Sequence, residues 1–182
     1  MTPMTNPLSP TRVAAVLALT LLAATADAEI PKVVLSAQHQ AMCQVDVGDA
    51  LPALTLTGDQ GQVELKSLLG KKATVVAVVG YQHWMNPALL QDLPGDVLKP
   101  YGEKGVEVVV VKTGNSPAKL PKGSPLAIVG DPTGEQFAKL GSGRQPRVYV
   151  LDAAGKILWF DIEYSRSTRR DLKQTLASVA GE

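Results

Sequence analysis

Ala73-Thr74-Val75-Val76-Ala77-Val78-Val79-Gly80-Tyr81-Gln82-His83-Trp84-Met85-Asn86-Pro87-Ala88 decides the fold. Its first seven residues are almost unbroken apolar and rich in β-branched side chains, the pattern of a central strand buried on both faces. Gly80–Met85 then reads as a connection. Asn86 can cap a helix and Pro87 can occupy its first turn. Leu89, Leu90, Leu93 and Val97 recur at helical spacing, with Pro94-Gly95 expected to kink or interrupt that helix.

Outward from this unit the chain keeps alternating. Val106–Val111 is a second apolar strand, expected to run parallel to the first, and Lys112–Ser124 is a long polar loop rich in Pro and Gly. Leu126–Val129 is a short strand, and Asp131–Gly134 turns into a brief helix ending near Leu140. Arg147–Leu151 and Lys156–Phe160 form a hairpin through Asp152–Gly155. In Ser165–Ala180, Leu172, Leu176 and Val179 share a helical face, and Arg166, Arg169 and Arg170 read as its solvated side. Upstream, Leu54–Leu56 and Val63–Leu65 suggest a hairpin, and 29–46 a lead-in with a short helix around Leu35–Met42. The order defines one α/β domain with a mixed sheet flanked by helices.

Composition narrows the function. The chain has 182 residues, a formal charge of +1, 16 glycines, 13 prolines and a single cysteine, Cys43. Near-neutral charge gives no footprint for nucleic acid. One cysteine excludes an intrachain disulfide, an intrachain dithiol centre and a zinc site built on two cysteines.

Residues 1–28 read as a secretory signal peptide: Arg12 in the charged region, an apolar run Val13–Ala26, and Ala26-Asp27-Ala28 as the cleavage site before Glu29. As a helix the run spans only ~21 Å of a ~30 Å hydrocarbon core, so no stable membrane insertion is expected after cleavage. The protein is therefore expected to be secreted or periplasmic, with 29–46 as lead-in and 47–182 as the folded domain.

Four stretches carry a resemblance. Val47-Gly48-Asp49-Ala50-Leu51-Pro52-Ala53-Leu54, Leu65-Lys66-Ser67-Leu68-Leu69-Gly70-Lys71, Gly105-Val106-Glu107-Val108-Val109 and Gln145-Pro146-Arg147-Val148-Tyr149-Val150-Leu151-Asp152-Ala153-Ala154-Gly155-Lys156-Ile157 follow one another with spacing similar to the thioredoxin-like superfamily. The match is to its redoxin and peroxiredoxin-like exported branch and runs from about Val47 to Ala180. The resemblance implies a thioredoxin-like fold, a cis peptide bond before Pro146 and a groove for extended peptide beside it. It also implies a W-C-x-x-C motif opening the helix after the central strand.

This chain departs from that motif. Its equivalent is Trp84-Met85-Asn86-Pro87-Ala88, so Met85 and Ala88 stand at the two nucleophile positions. A thioether has no proton to lose and cannot form the mixed disulfide that exchange requires. The leading expectation is a non-catalytic binding or scaffold module that uses Trp84, Pro87 and Pro146 to hold an unidentified protein or peptide partner in the exported compartment. The alternative is a thiol-dependent oxidoreductase or peroxidase using Cys43, although no electropositive setting for that thiol is visible in the sequence. A third is copper handling, since His83 with Met85, and His39 with Met42 and Cys43, combine imidazole with soft sulfur. No other cofactor is expected.

Overall fold

The computed structural model describes residues 29–81 and 84–181. The expected leader, 1–28, and His83 lie outside the described residues. In chain order the elements are helix α1 (Ala37–Gln40), strands β1 (Thr55–Gly58) and β2 (Gly61–Glu64), a 3-10 turn (Leu65–Leu68), strand β3 (Ala73–Val79) and helix α2 (Met85–Leu93). A π turn (Pro94–Leu98) and the short helix α3 (Lys99–Tyr101) continue α2. Strands β4 (Val106–Thr113) and β5 (Ala127–Asp131), helix α4 (Glu135–Ala138), the hairpin β6 (Arg147–Asp152) and β7 (Ile157–Ile162), and helix α5 (Arg166–Ala180) complete the domain.

The strands form one seven-stranded sheet in the order β2-β1-β5-β4-β3-β6-β7. β3 runs parallel to β4, as expected for the two valine-rich segments, and β4 runs parallel to β5; β6 is antiparallel to β3, and β7 to β6. All seven residues of β3 are buried. Its side chains alternate between two cores. Val75, Ala77 and Val79 face α2 and α5 with Leu89, Leu93, Leu172 and Leu176. Val76 and Val78 face the other side with Leu56, Leu65, Tyr149 and Phe160. Each buried valine removed from water contributes about 1.5–3 kcal/mol, which is why this strand anchors the sheet.

Two local expectations are corrected and a third is sharpened. Asn86 is not the helix cap: α2 begins at Met85 with Trp84 before it, and Asn86 turns its amide inward. Pro94 interrupts the α-helix as expected: α2 ends at Leu93, and a π turn takes over at Pro94 and absorbs the missing N–H, so that the helical course resumes as α3 instead of breaking off. Arg169 is not merely solvated. It reaches Asp96 and, at 3.2 Å, Asp92, while Lys173 pairs with Asp96 at 2.9 Å, so α5 is clamped to α2 and the π turn.

Candidate functional site

Gly80 ends β3 and its carbonyl is the anchor of the corner that follows. It accepts the Asn86 amide at 3.0 Å and the Ser116 hydroxyl at 2.8 Å. With no Cβ, Gly80 leaves room for the Gln145 side chain, whose Oε1 in turn accepts Thr113 Oγ1 at 2.9 Å. These bonds tie the ends of β3 and β4 to the residue before Pro146. Among the described residues, Asn86 Oδ1 is the buried side-chain atom with no hydrogen-bond partner.

The Gln145-Pro146 bond is cis, and Pro146 is buried. Its carbonyl accepts the Glu163 N–H at 2.7 Å. The next N–H, that of Tyr164, donates to Met85 Sδ at 3.1 Å. Two consecutive amides thus bring Met85 and Pro146 into one corner. Met85 is half-buried against the α2-side core, while Trp84 is 76% exposed and Pro87 and Ala88 are exposed on the same first turn. Tyr81, 66% exposed, adds a second aromatic to this end of the sheet. The exposed surface therefore comprises Tyr81, Trp84, Pro87 and Ala88, and Pro146 forms part of its floor rather than a rim.

Cys43 belongs elsewhere. It is half-buried on the opposite core, bridged to Gly141, and its Sγ donates to the His39 carbonyl at 3.4 Å. Contrary to the sequence expectation, a cation lies beside it: the guanidinium of Arg147. Arg147 is fully buried and donates to the carbonyls of Arg144, Met42 and Ser142. Burial still dominates and pushes the Cys43 thiol up; Arg147 opposes that rise, and Asp46 adds to it. The net effect disfavours the thiolate. A helix N-terminus, the usual source of thiolate stabilisation, is not what Cys43 meets, because it follows α1.

For copper, the contact joining Cys43 to His39 goes to the backbone carbonyl. Among the described residues no three His, Cys, Asp or Glu side chains converge as a metal group. Also among these residues, no helix is long and apolar enough to cross a membrane.

Arg147, Gln145, Ser116 and Tyr164 were not singled out by the sequence. A charged residue opening a strand gives no sign that folded loops will surround it with carbonyls.

No known family's sequence profile matches the chain, and no curated protein sequence matches it. Solved structures do. One is a provisionally named protein disulfide isomerase from Bacteroides thetaiotaomicron, with a TM-score of 0.65 and 19% identity over 78% of this chain and 94% of that one. Another is a provisionally named thiol:disulfide interchange protein, DsbE, from Chlorobium tepidum, with a TM-score of 0.63 and 23% identity over 75% and 99%. A third is the thioredoxin domain of a thiol-disulfide oxidoreductase from Bacteroides vulgatus, with a TM-score of 0.56 and 18% identity over 72% and 96%. The likeness is one of fold: the chain has a single-domain, thioredoxin-like fold.

Proposed function

We propose that the chain is an exported thioredoxin-like binding module without dithiol exchange, presenting Tyr81, Trp84 and Pro87 above Pro146 to a protein or peptide partner. The observation that carries this reading is the position of the two sulfurs. The sulfur at the opening of α2 is a thioether that accepts the Tyr164 N–H, and the one thiol of the chain packs on the other face of the sheet. The solved relatives are named for thiol–disulfide chemistry, which needs a thiolate at the helix opening and a second thiol to resolve the mixed disulfide. Neither residue type stands at Met85 or Ala88. Export rests on the leader read in residues 1–28.

The test has two arms. Insulin reduction and peroxide consumption are measured for the wild type and Cys43→Ser; turnover that depends on Cys43 would overturn the reading. An unfolded polypeptide is then titrated against wild type and Trp84→Ala. Binding weakened by about 1–3 kcal/mol in the variant is expected for an exposed aromatic anchor, and equal binding by both proteins would remove the proposed surface.

A further inference from the structure

The joint between β7 and α5 carries strained backbone. Among the described residues Glu163 is the non-glycine residue with positive φ, 74°, a conformation that costs a residue bearing Cβ about 1 kcal/mol or more. The joint is held from both sides. The Glu163 N–H is fixed to the Pro146 carbonyl at 2.7 Å, and the Tyr164 N–H to Met85 Sδ at 3.1 Å. The Glu163 carboxylate is drawn to Arg144, and Ser165 then caps α5. A sulfur atom, a weak acceptor, is thus one fastening of a strained connection. It lies half-buried at the opening of α2, beside the exposed Trp84.

We propose that Met85 is a redox modification site, and that its oxidation by a hydroperoxide to the sulfoxide unfastens the Glu163–Tyr164 joint. In the step, a sulfur lone pair attacks the hydroxyl oxygen of the peroxide. The S–O bond forms as the O–O bond breaks, and the proton on the transferred oxygen passes to the departing oxygen, which leaves as water or an alcohol. Sulfur is oxidised by two electrons and the peroxide reduced by two. The product sulfur carries partial positive charge and has lost the lone pair it spent. The sulfur no longer suits the Tyr164 N–H, and the new oxygen, although a better acceptor, cannot fit between two atoms 3.1 Å apart: it either points away and leaves the N–H without its acceptor, or pushes the joint off. Strain at Glu163 then favours release. This holds whatever the surface binds.

The experiment treats the full chain with hydrogen peroxide, maps oxidation by peptide mass and follows amide hydrogen exchange. Met85 sulfoxide is expected to form, with Tyr164 exchanging at least about fivefold faster, the effect of losing one modest hydrogen bond, while Leu172 within α5 is unchanged. Reduction by a methionine sulfoxide reductase should restore protection. Met85→Leu, close in volume, should show fast Tyr164 exchange without peroxide and no further response. Two results would overturn the proposal. One is oxidation of Met42, also half-buried, while Met85 stays intact; the other is Met85 oxidation with Tyr164 protection unchanged.

Discussion

Cys43 and Met85 stand on opposite faces of the same seven-stranded sheet, Cys43 among Tyr149 and Leu140, and Met85 among Leu89 and Leu93. A thiol on one face cannot resolve chemistry begun on the other without unfolding the sheet between them. Exchange activity should therefore be recoverable only at the helix opening. Met85→Cys with Ala88→Cys, made in a Cys43→Ser background, places a thiol at the first residue of the nine-residue α2. Helix N-termini lower cysteine pKa values from ~8.5 to roughly 3.5–7.5. Insulin reduction should rise at least about tenfold over the parent, with alkylation titrating below the ordinary thiol range. A folded but inert double variant would refute this placing of the motif.

Cys43 itself should behave in the opposite way. Burial raises its pKa, Arg147 pulls it back, and Asp46 adds to the rise, leaving the net direction upward. Iodoacetamide labelling of the native protein should therefore titrate above the unfolded chain's midpoint. Because the folded state holds this proton more tightly, its contribution to stability is present below the unfolded thiol pKa and is lost as pH rises through the folded one. Arg147→Met should push the labelling midpoint higher still. It also takes the donor from the Ser142 and Arg144 carbonyls and one of two from the Met42 carbonyl, which keeps the Ser142 N–H, so urea unfolding should show a loss of about 2–3 kcal/mol. A labelling midpoint that falls in Arg147→Met would show that the guanidinium does not act on the thiol.

The sheet was legible because its signal is local and dense. β3 runs Ala73–Val79, the same bounds the apolar run suggests, and β4 and the β6–β7 hairpin follow the valine pattern and the Asp152–Gly155 turn. The turn works as expected, with Asp152 Oδ1 accepting the Ala154 and Lys156 amides at 2.8 and 2.9 Å. What was not legible depends on residues distant in sequence. Asn86 has the local chemistry of a cap, yet the Gly80 carbonyl outcompetes that role. Arg169 sits on a polar helix face, but its carboxylates arrive from a segment more than seventy residues earlier, a pairing no periodicity encodes. Arg147 is hidden for the same reason: its acceptors lie on the lead-in and on the loop after α4.

The clamp between α5 and the π turn gives a pH prediction. Burial alone would raise the Asp96 pKa, but hydrogen bonds from Arg169 and Lys173, with their charges, hold it below the usual carboxylate range. A depressed folded pKa means stability that is present above the unfolded value, about 3.9, and lost as pH falls through the folded one. Asp96→Asn should cost about 1 kcal/mol at neutral pH, in keeping with a partly exposed network. That difference should shrink as pH is lowered below about 4. Paired urea melts at pH 7 and pH 3 check this, and a difference that does not shrink would separate the loss from ionisation.

Two glycines flank the central strand, and their surroundings predict opposite outcomes for the same substitution. A Cβ at Gly70 would stand 2.3 Å from the Ala73 carbonyl and 2.7 Å from the Gly105 carbonyl, both backbone atoms fixed where β3 and β4 begin. Nothing there can swing aside, so Gly70→Ala should cost about 3 kcal/mol or more, from overpacking. At Gly80 the nearest atom to a new Cβ is Gln145 Oε1, at 1.4 Å, the far end of a flexible side chain. Gln145 can move, at the expense of its bond from Thr113, so Gly80→Ala should cost only about 1 kcal/mol. The milder variant should have the larger effect on binding, since displaced Gln145 adjoins Pro146, whereas Gly70 lies at the far end of β3. Denaturant midpoints measure the first contrast and polypeptide titration the second. Normal binding by Gly80→Ala would mean that the surface around Trp84 does not extend to the floor formed by Gln145 and Pro146.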